Sequence, residues 1–494
     1  MVAYVPPKQA GKYKAIASGA ITNGKPVFVH TDGTVKQVAQ SVDEATQALG
    51  TNLVFETGSM NYVHGTFDSD NNKCIFVYSD VGNSGYQTAV VCTIASNGSM
   101  SAGTPVVYAS HGSIGGSVTY AGSSKIVALY KNDSNNFGYA VVGTISGTSI
   151  SFGTAENYDG GNQPQNPIVR YDSNADRVVV AFRDASNGDK GRCKVGTISG
   201  TSISFGSLVY IQNAAIGGVI GMAFDSNSNK MVISFIDSAN SSQGTSVVGT
   251  VSGTSISFGS EAIFNNASTN NIASTFDSVN NKIIIAYKDT GDNNEGKAVV
   301  GTVSSTSISF GSEAEWLSSG TFYSEGVGPA IDFDPNANKV VIAYNYETDS
   351  FDGEFVVGTV SGTNISFSSK TDFDTDSNES TALVFDSNVN KFALAFRDSG
   401  NSNRGTVRSL QLAYSNTTNT LTSENYIGIA SGGTYADTAE ATIDVVGTVN
   451  KDQSGLTAGQ TYFVQNDGTL GTSADSPSVV AGTAISATEL IVKG

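Results

Sequence analysis

The chain has 494 residues, of which 55 are glycine and only 14% are charged, with a net charge of −18. That length exceeds what one hydrophobic core serves and calls for several domains or a repeat array. The abundance of Ser, Thr, Asn and Gly suits short strands and tight turns rather than surface helices, and no window gathers enough Lys and Arg to track a nucleic-acid backbone.

At the N-terminus, MVAYVPPKQAGKYKA lacks the apolar core of a signal peptide, and no run of about 18 apolar residues occurs anywhere, so a soluble chain without membrane insertion is expected. The segment ITNGKPVFVHTDGTV (21–35) predicts a strand, a turn at Asp32-Gly33 and a second strand. It aligns without gaps to LTAGQTYFVQNDGTL (456–470), with its turn at Asp467-Gly468. Two copies of one unit at opposite ends predict a small β-domain built from residues 1–46 and 426–494, with residues 47–425 inserted between them. That arrangement is expected to help keep the inserted part closed.

The insert is repetitive. An aromatic residue opening a turn recurs at Phe67, Tyr120, Tyr171, Phe224, Phe276, Phe333 and Phe385, at successive spacings of 53, 51, 53, 52, 57 and 52. A period near 50 that reads as strand throughout predicts an all-β, seven-bladed β-propeller with four strands per blade. In the fourth copy these are IGMAF (220–224), MVISFID (231–237), TSVVGTVS (245–252) and TSISFGS (254–260). The stretch VVGTVSGTSISFGS (247–260), written five times in near-identical form, is then the outer hairpin of a blade, and Gly253 in the first central position suits a type II′ turn. Alternate residues Val247, Gly249, Val251, Ile256 and Phe258 should face a neighbouring blade.

Some copies depart from the pattern. The first has Ala95-Ser-Asn97-Gly98 at the outer turn, the fifth has Ser305 in place of glycine, and the second has Ala121 in a shortened first turn. The seventh keeps the strand rhythm in SLQLAYSNTTNTLTSEN (409–425) without the letters, as terminal repeats often do.

In the turn DSNxNK, the acidic residue at Asp68, Asp172, Asp225, Asp277, Asp334 and Asp386 resembles the opening of a calcium loop. The glycine at loop position 6 and the glutamate at 12 are missing, so a side chain capping the turn amides is expected and no metal. Cys74, Cys92 and Cys193 show no ligand spacing or disulfide framework. Cys74 and Cys92 could face each other on adjacent strands, and buried free thiols are expected.

Loops between the second and third strands, DASNGDKG (184–191), DSANSSQG (237–244) and NYETDSFDG (345–353), vary among copies and mark one end of the insert as the place for a binding surface. The richest candidate is EAEWLSSGTFYSEGVGP (313–329), with Trp316, Phe322 and Tyr323, joined by Tyr344 and Tyr346 from the next copy. Such rings stack on sugars or anchor protein contacts; the alternative is that Trp316 packs under its own loop. With His30, His64 and His111 unpaired in sequence, no catalytic residue and no cofactor is expected. The sialidase Asp-box, which needs a tryptophan per copy, is absent, and a carboxylate pair at the propeller centre remains the one enzymatic alternative.

The segment YIGIASGGTYADTAEATIDVVGTV...GLTAGQTYFVQNDGTLGTSADSPSVVAGTAISATELIV (426–492) resembles small β-modules of tail-fibre and other virion proteins of tailed bacteriophages. The VVGTVSGTSISFGS repeat is similar to repeats in proteins of marine and cyanobacterial phages. The resemblance implies a non-enzymatic structural virion protein, a tail or fibre component whose propeller binds host surface glycan or protein. It implies a terminal module that contacts other virion proteins in a homo-oligomer, and a location in the virion, extracellular after lysis. A capsid or neck decoration with structural contacts alone is an alternative within that class, and a glycan depolymerase is one outside it. The resemblance carries no catalytic residues.

Overall fold

A computed structural model describes residues 11–112, 116–217, 220–318, 322–323, 328–346, 351–376 and 378–493. Among them no α-helix occurs; three short 3-10 turns interrupt an otherwise antiparallel all-β chain, and no helix is long and apolar enough to cross a membrane. The chain divides into two compact units, Ala45–Ala413 and the pair Met1–Glu44 with Tyr414–Gly494.

In the larger unit each repeat builds one four-stranded sheet. The fourth runs Gly221–Asp225, Lys230–Asp237, Gln243–Ser252, and then an outer strand in two pieces, Ser255–Phe258 and residues 262–268, both paired to Gln243–Ser252. The second strand, KMVISFID, is buried along almost its whole length. A strand buried on both faces loses the polar alternation of a half-exposed one, which is why its sequence is a continuous apolar run. Val247, Val251, Ile256 and Phe258 pack with Val179, Ala181 and Val195 of the third repeat, so the expected facing residues lie at that junction. Comparable clusters join every successive pair of repeats, and a further one joins the seventh (Ala393, Ala395, Val407) to the first (Phe76, Tyr78, Val90). The first strands of the sheets likewise abut in cyclic order.

The repeated hairpin has the expected geometry: Ser252 pairs with Ser255, Gly253 has φ +62° and Thr254 lies outside the left-handed region, a type II′ turn. Its trailing glycine has a separate cause. A Cβ on Gly259 would overlap the carbonyl oxygen of Thr306 in the next repeat's hairpin, and the same relation links Gly103 to Thr148, Gly153 to Thr201, Gly206 to Thr254 and Gly311 to Thr363. The sixth repeat has Ser368 at this position. It is tolerated because the seventh repeat has no such hairpin.

The seventh sheet differs from expectation. Its outer strand comes from the N-terminal side of the insert: Ala48–Leu49 and residues 53–59 pair with Arg404–Gln411, Leu49 opposite Leu410 and Leu53 opposite Val407. Residues 409–425 therefore do not complete it. Tyr414–Asn419 instead pairs with Gln40–Ala45, and the boundary of the larger unit falls at 413 and not at 425. Closure of the ring is thus made within its own seventh sheet, by a strand far away in sequence.

The smaller unit interleaves both chain ends. One sheet has the order Lys12–Ile16, Glu440–Val445, Tyr426–Ala430, Pro26–Val29, Val35–Gln37, over a core of Ile21, Val27, Ala430 and Ile443. A second holds Thr461–Val464 and Leu470–Gly471. The two aligned segments form matching three-residue turns: His30 N–H donates to the Thr34 carbonyl and Gln465 N–H to that of Thr469, each at 2.9 Å. The Thr hydroxyls of both turns donate to Asp32 and Asp467 at 2.6 Å, which holds each carboxyl below its usual range, Asp32 at about 2. Cys74 lies directly opposite Cys92 in the ladder of the first sheet; these and Cys193 are buried free thiols, and burial raises all three, Cys92 to about 12.

Candidate functional site

The aromatic residues singled out from sequence are largely interior. Trp316, Phe322 and Tyr344 are 6%, 1% and 2% exposed, and the Trp316 ring lies 5.0 Å from Phe322 and 4.9 Å from Tyr344. Trp316 Nε1 donates to the Lys297 carbonyl at 3.0 Å. With their faces packed on one another and the indole N–H paired inside, these three rings present no stacking platform to solvent. Tyr346 is half-buried beneath the Lys370 ammonium, and Tyr323 sits in a two-residue strand, Phe322–Tyr323, whose Tyr323 side chain lies outside the described residues, as do residues 319–321, 324–327 and 347–350 of the loops. Trp316 in fact fills a position common to most repeats. It covers Gly296 of the third strand, as Tyr158 covers Gly138, Phe264 covers Gly244 and Phe373 covers Gly353.

The repeated turn aspartates cap. Asp225 Oδ1 accepts from the amides of Asn227 and Ser228, both at 2.9 Å, and Asp172, Asp277 and Asp334 do the same for their own turns at 2.8–3.0 Å. A second set, unread from sequence, caps the opposite end. Asp80, Asp184, Asp237, Asp289 and Asp398, each closing a second strand, accept amide hydrogens from Asn83, Ser186, Ala239, Gly291 and Asn401. Its signal was present as the acidic residue ending SD, RD, ID, KD and RD. Among the described residues no group of three or more His, Cys, Asp or Glu is placed to hold a metal.

The concave feature lies at the centre of the ring. First strands of all seven repeats line a channel with one cavity of about 170 Å³ at its mouth and another of about 280 Å³ deeper in. The mouth is at the starts of those strands, the end that carries the variable loops. Four β-bulges shape it, at Tyr62, Asn166, Asn271 and Ser380, where φ is +55°, +46°, +49° and +54° and the pairing register slips. Neighbouring first strands are tied across the channel wall: Ser380 Oγ accepts from Val63 N–H at 2.8 Å, Ser117 Oγ from Val169 N–H at 3.2 Å, and Asp332 Oδ2 from Phe385 N–H at 2.8 Å.

Among the polar residues lining the mouth, His64, Arg170 and Ser274 come from separate repeats. The Arg170 guanidinium makes one protein hydrogen bond, from Nη1 to the Val169 carbonyl at 2.9 Å, while His64 Nε2 and Ser274 Oγ are buried without a protein partner. Burial lowers Arg170, with Asp332 acting against it, and burial with the adjacent guanidinium lowers His64 to about 4, so the imidazole is neutral near pH 7. Asp332, deeper in the channel, is raised by burial against four favourable contacts. Sequence reading passed over Arg170 because only the ring closure brings it to the axis beside His64.

No family model matches the chain, and no curated protein matches it. Among solved structures, a protein of unknown function from Dyadobacter fermentans is 9% identical with a TM-score of 0.44, over 75% of this chain and 99% of that one. A lectin of Aleuria aurantia, solved with α-methyl-L-fucoside, is 12% identical with a TM-score of 0.41 over 65% and 98%. The NanB sialidase of Streptococcus pneumoniae is 13% identical with a TM-score of 0.42 over 73% and 70%. Likenesses this distant transfer neither a site nor an activity.

Proposed function

We propose that Ala45–Ala413 is a closed seven-bladed β-propeller and that the chain is a non-enzymatic virion protein of a tailed phage, a tail or fibre component whose propeller binds host surface glycan or protein. The observation that supports this reading most is the asymmetry of the ring. At one end, near-identical turns are fixed by aspartate caps and by glycines pressed on the next repeat. At the other, loops differ in length and content around an open channel mouth. Such a body is suited to presenting its variable end to a partner. The terminal unit, with its resemblance to virion modules, would contact other virion proteins or sister copies, and weak contacts at the variable end would gain strength from many copies.

The test is to incubate purified protein with host cells and then challenge with phage. Binding to cells and reduced adsorption are expected. A protein that neither binds nor blocks, and that maps to the capsid or neck by particle cryo-microscopy, leaves a decoration role instead. New reducing ends released from host polysaccharide would make it a depolymerase.

A further inference from the structure

We propose that the mouth of the ring's channel is a binding site for a carboxylate group, held by the Arg170 guanidinium with His64 and Ser274 as neutral hydrogen-bond partners. The inference concerns the ring alone and stands whichever particle, or none, carries it.

A guanidinium has five N–H donors, and Arg170 spends one on a backbone carbonyl inside a channel walled by protein. Arg170 is half-buried, and its remaining donors open onto the channel. On the same cavity wall Ser274 Oγ and His64 Nε2 are buried without a protein partner, a costly state that a ligand would relieve. Three such groups, contributed by the third, first and fifth repeats, converge only because the ring closes. Arg170 and Ser274 can donate, and His64 Nε2 donates in its Nε2–H tautomer, so one acidic acceptor satisfies all three.

The charge balance selects its class. One guanidinium faces the mouth, His64 is neutral, and Asp332 lies further in as the nearest counter-charge. A dianionic phosphate would meet one cation and a carboxylate beyond it, whereas a single carboxylate matches one guanidinium in charge and in its two-point geometry. The mouth cavity of about 170 Å³ is too small for a whole oligosaccharide, so the site takes one acidic group, with the remainder of the ligand lying over the variable loops.

Ligand-observed NMR on the full chain tests this with D-galacturonate and N-acetylglycine, the methyl ester of galacturonate, and inorganic phosphate. Saturable binding of one or both acids, on the order of millimolar, is expected for a single guanidinium–carboxylate pair. The sugar acid alone indicates an acidic glycan, and the acylated amino acid alone indicates a peptide carboxylate. Arg170→Gln is expected to weaken binding at least about tenfold, and Ser274→Ala about threefold at an unchanged melting temperature. Should Arg170→Gln fail to fold, Ser274→Ala decides. Binding of the ester as tight as the acid, phosphate outcompeting both acids, or undiminished binding by the folded variants overturns the assignment.

Discussion

The two ends of the ring are made from the same seven repeats yet obey different constraints. At the uniform end, each hairpin sits against the next, and the Gly259 to Thr306 approach recurs wherever a following hairpin exists. Where none follows, the sequence relaxes to Ser368. At the variable end, aspartate caps persist at the strand ends, but the loops beyond them share no one contact: Gly291 presses on Ala267, Gly400 on Asp376 and Gly328 on the Ile272 carbonyl, and their letters diverge. Near-identity among copies therefore marks a contact repeated from sheet to sheet, and divergence marks contacts made copy by copy.

The largest expected effect challenges that division from the variable end. Trp316 stands in a divergent loop but packs as core, so Trp316→Ala should lower stability by about 4 kcal/mol. Chemical denaturation measures it, and a change below about 1 kcal/mol would mean that the loop is not part of the packed sheet. Next comes Gly259→Ala, whose Cβ meets backbone rather than a movable side chain; overpacking of this kind costs about 3 kcal/mol. Ser368→Gly is its control, expected to cost about 1 kcal/mol, for the exposed hydrogen bonds of the Ser368 hydroxyl with Val357 N–H and the Ser369 carbonyl and for the entropy of the unfolded chain.

Legibility followed distance along the chain. The DSNxNK caps and the type II′ hairpin were readable because cap and capped amides lie within four residues. The Gly259 contact was not, because its partner is in the following copy and no local pattern encodes it. The seventh outer strand was misread because residues 53–59 pair with a strand some 350 positions later. Trp316 reads from sequence either as an anchor or as a ring packed under its own loop, because the glycine it covers lies 20 positions earlier. That same interval holds from 138 to 158, 191 to 211, 244 to 264 and 353 to 373. Aligning the copies on the third-strand glycine would have placed Trp316 in the core series.

A subtler contrast between the ends is its dependence on pH. His64 at the mouth is held at about 4 in the folded chain against an ordinary 6.5. The unfolded chain thus binds more protons between those values, and stability contributed by the neutral imidazole is present above about 6.5 and lost as pH falls through 4. Melting temperature should fall across this window, and His64→Gln should flatten that part of the curve. A profile unchanged by the substitution would remove His64 from the buried wall.

The smallest effect is the sharpest test of why the uniform turns are uniform. Ser305 keeps the left-handed backbone of the glycines it replaces, φ +57° against +62° at Gly253 and +63° at Gly362. The turn has therefore not changed type to suit the residue. The local strain of a side chain at positive φ remains, about 1 kcal/mol, offset in part by the greater unfolded-state freedom of glycine. Space is not at issue, since a Cβ at Gly253 or Gly362 meets nothing within 4 Å. Ser305→Gly should accordingly stabilise the ring by about 0.5 kcal/mol, read as a small rise in denaturation midpoint at constant slope. Gly253→Ser should lower it by a similar amount. If both substitutions are neutral, the first glycine of SGTS is not selected by backbone conformation, and the uniformity of that end rests on the Gly259 contact alone.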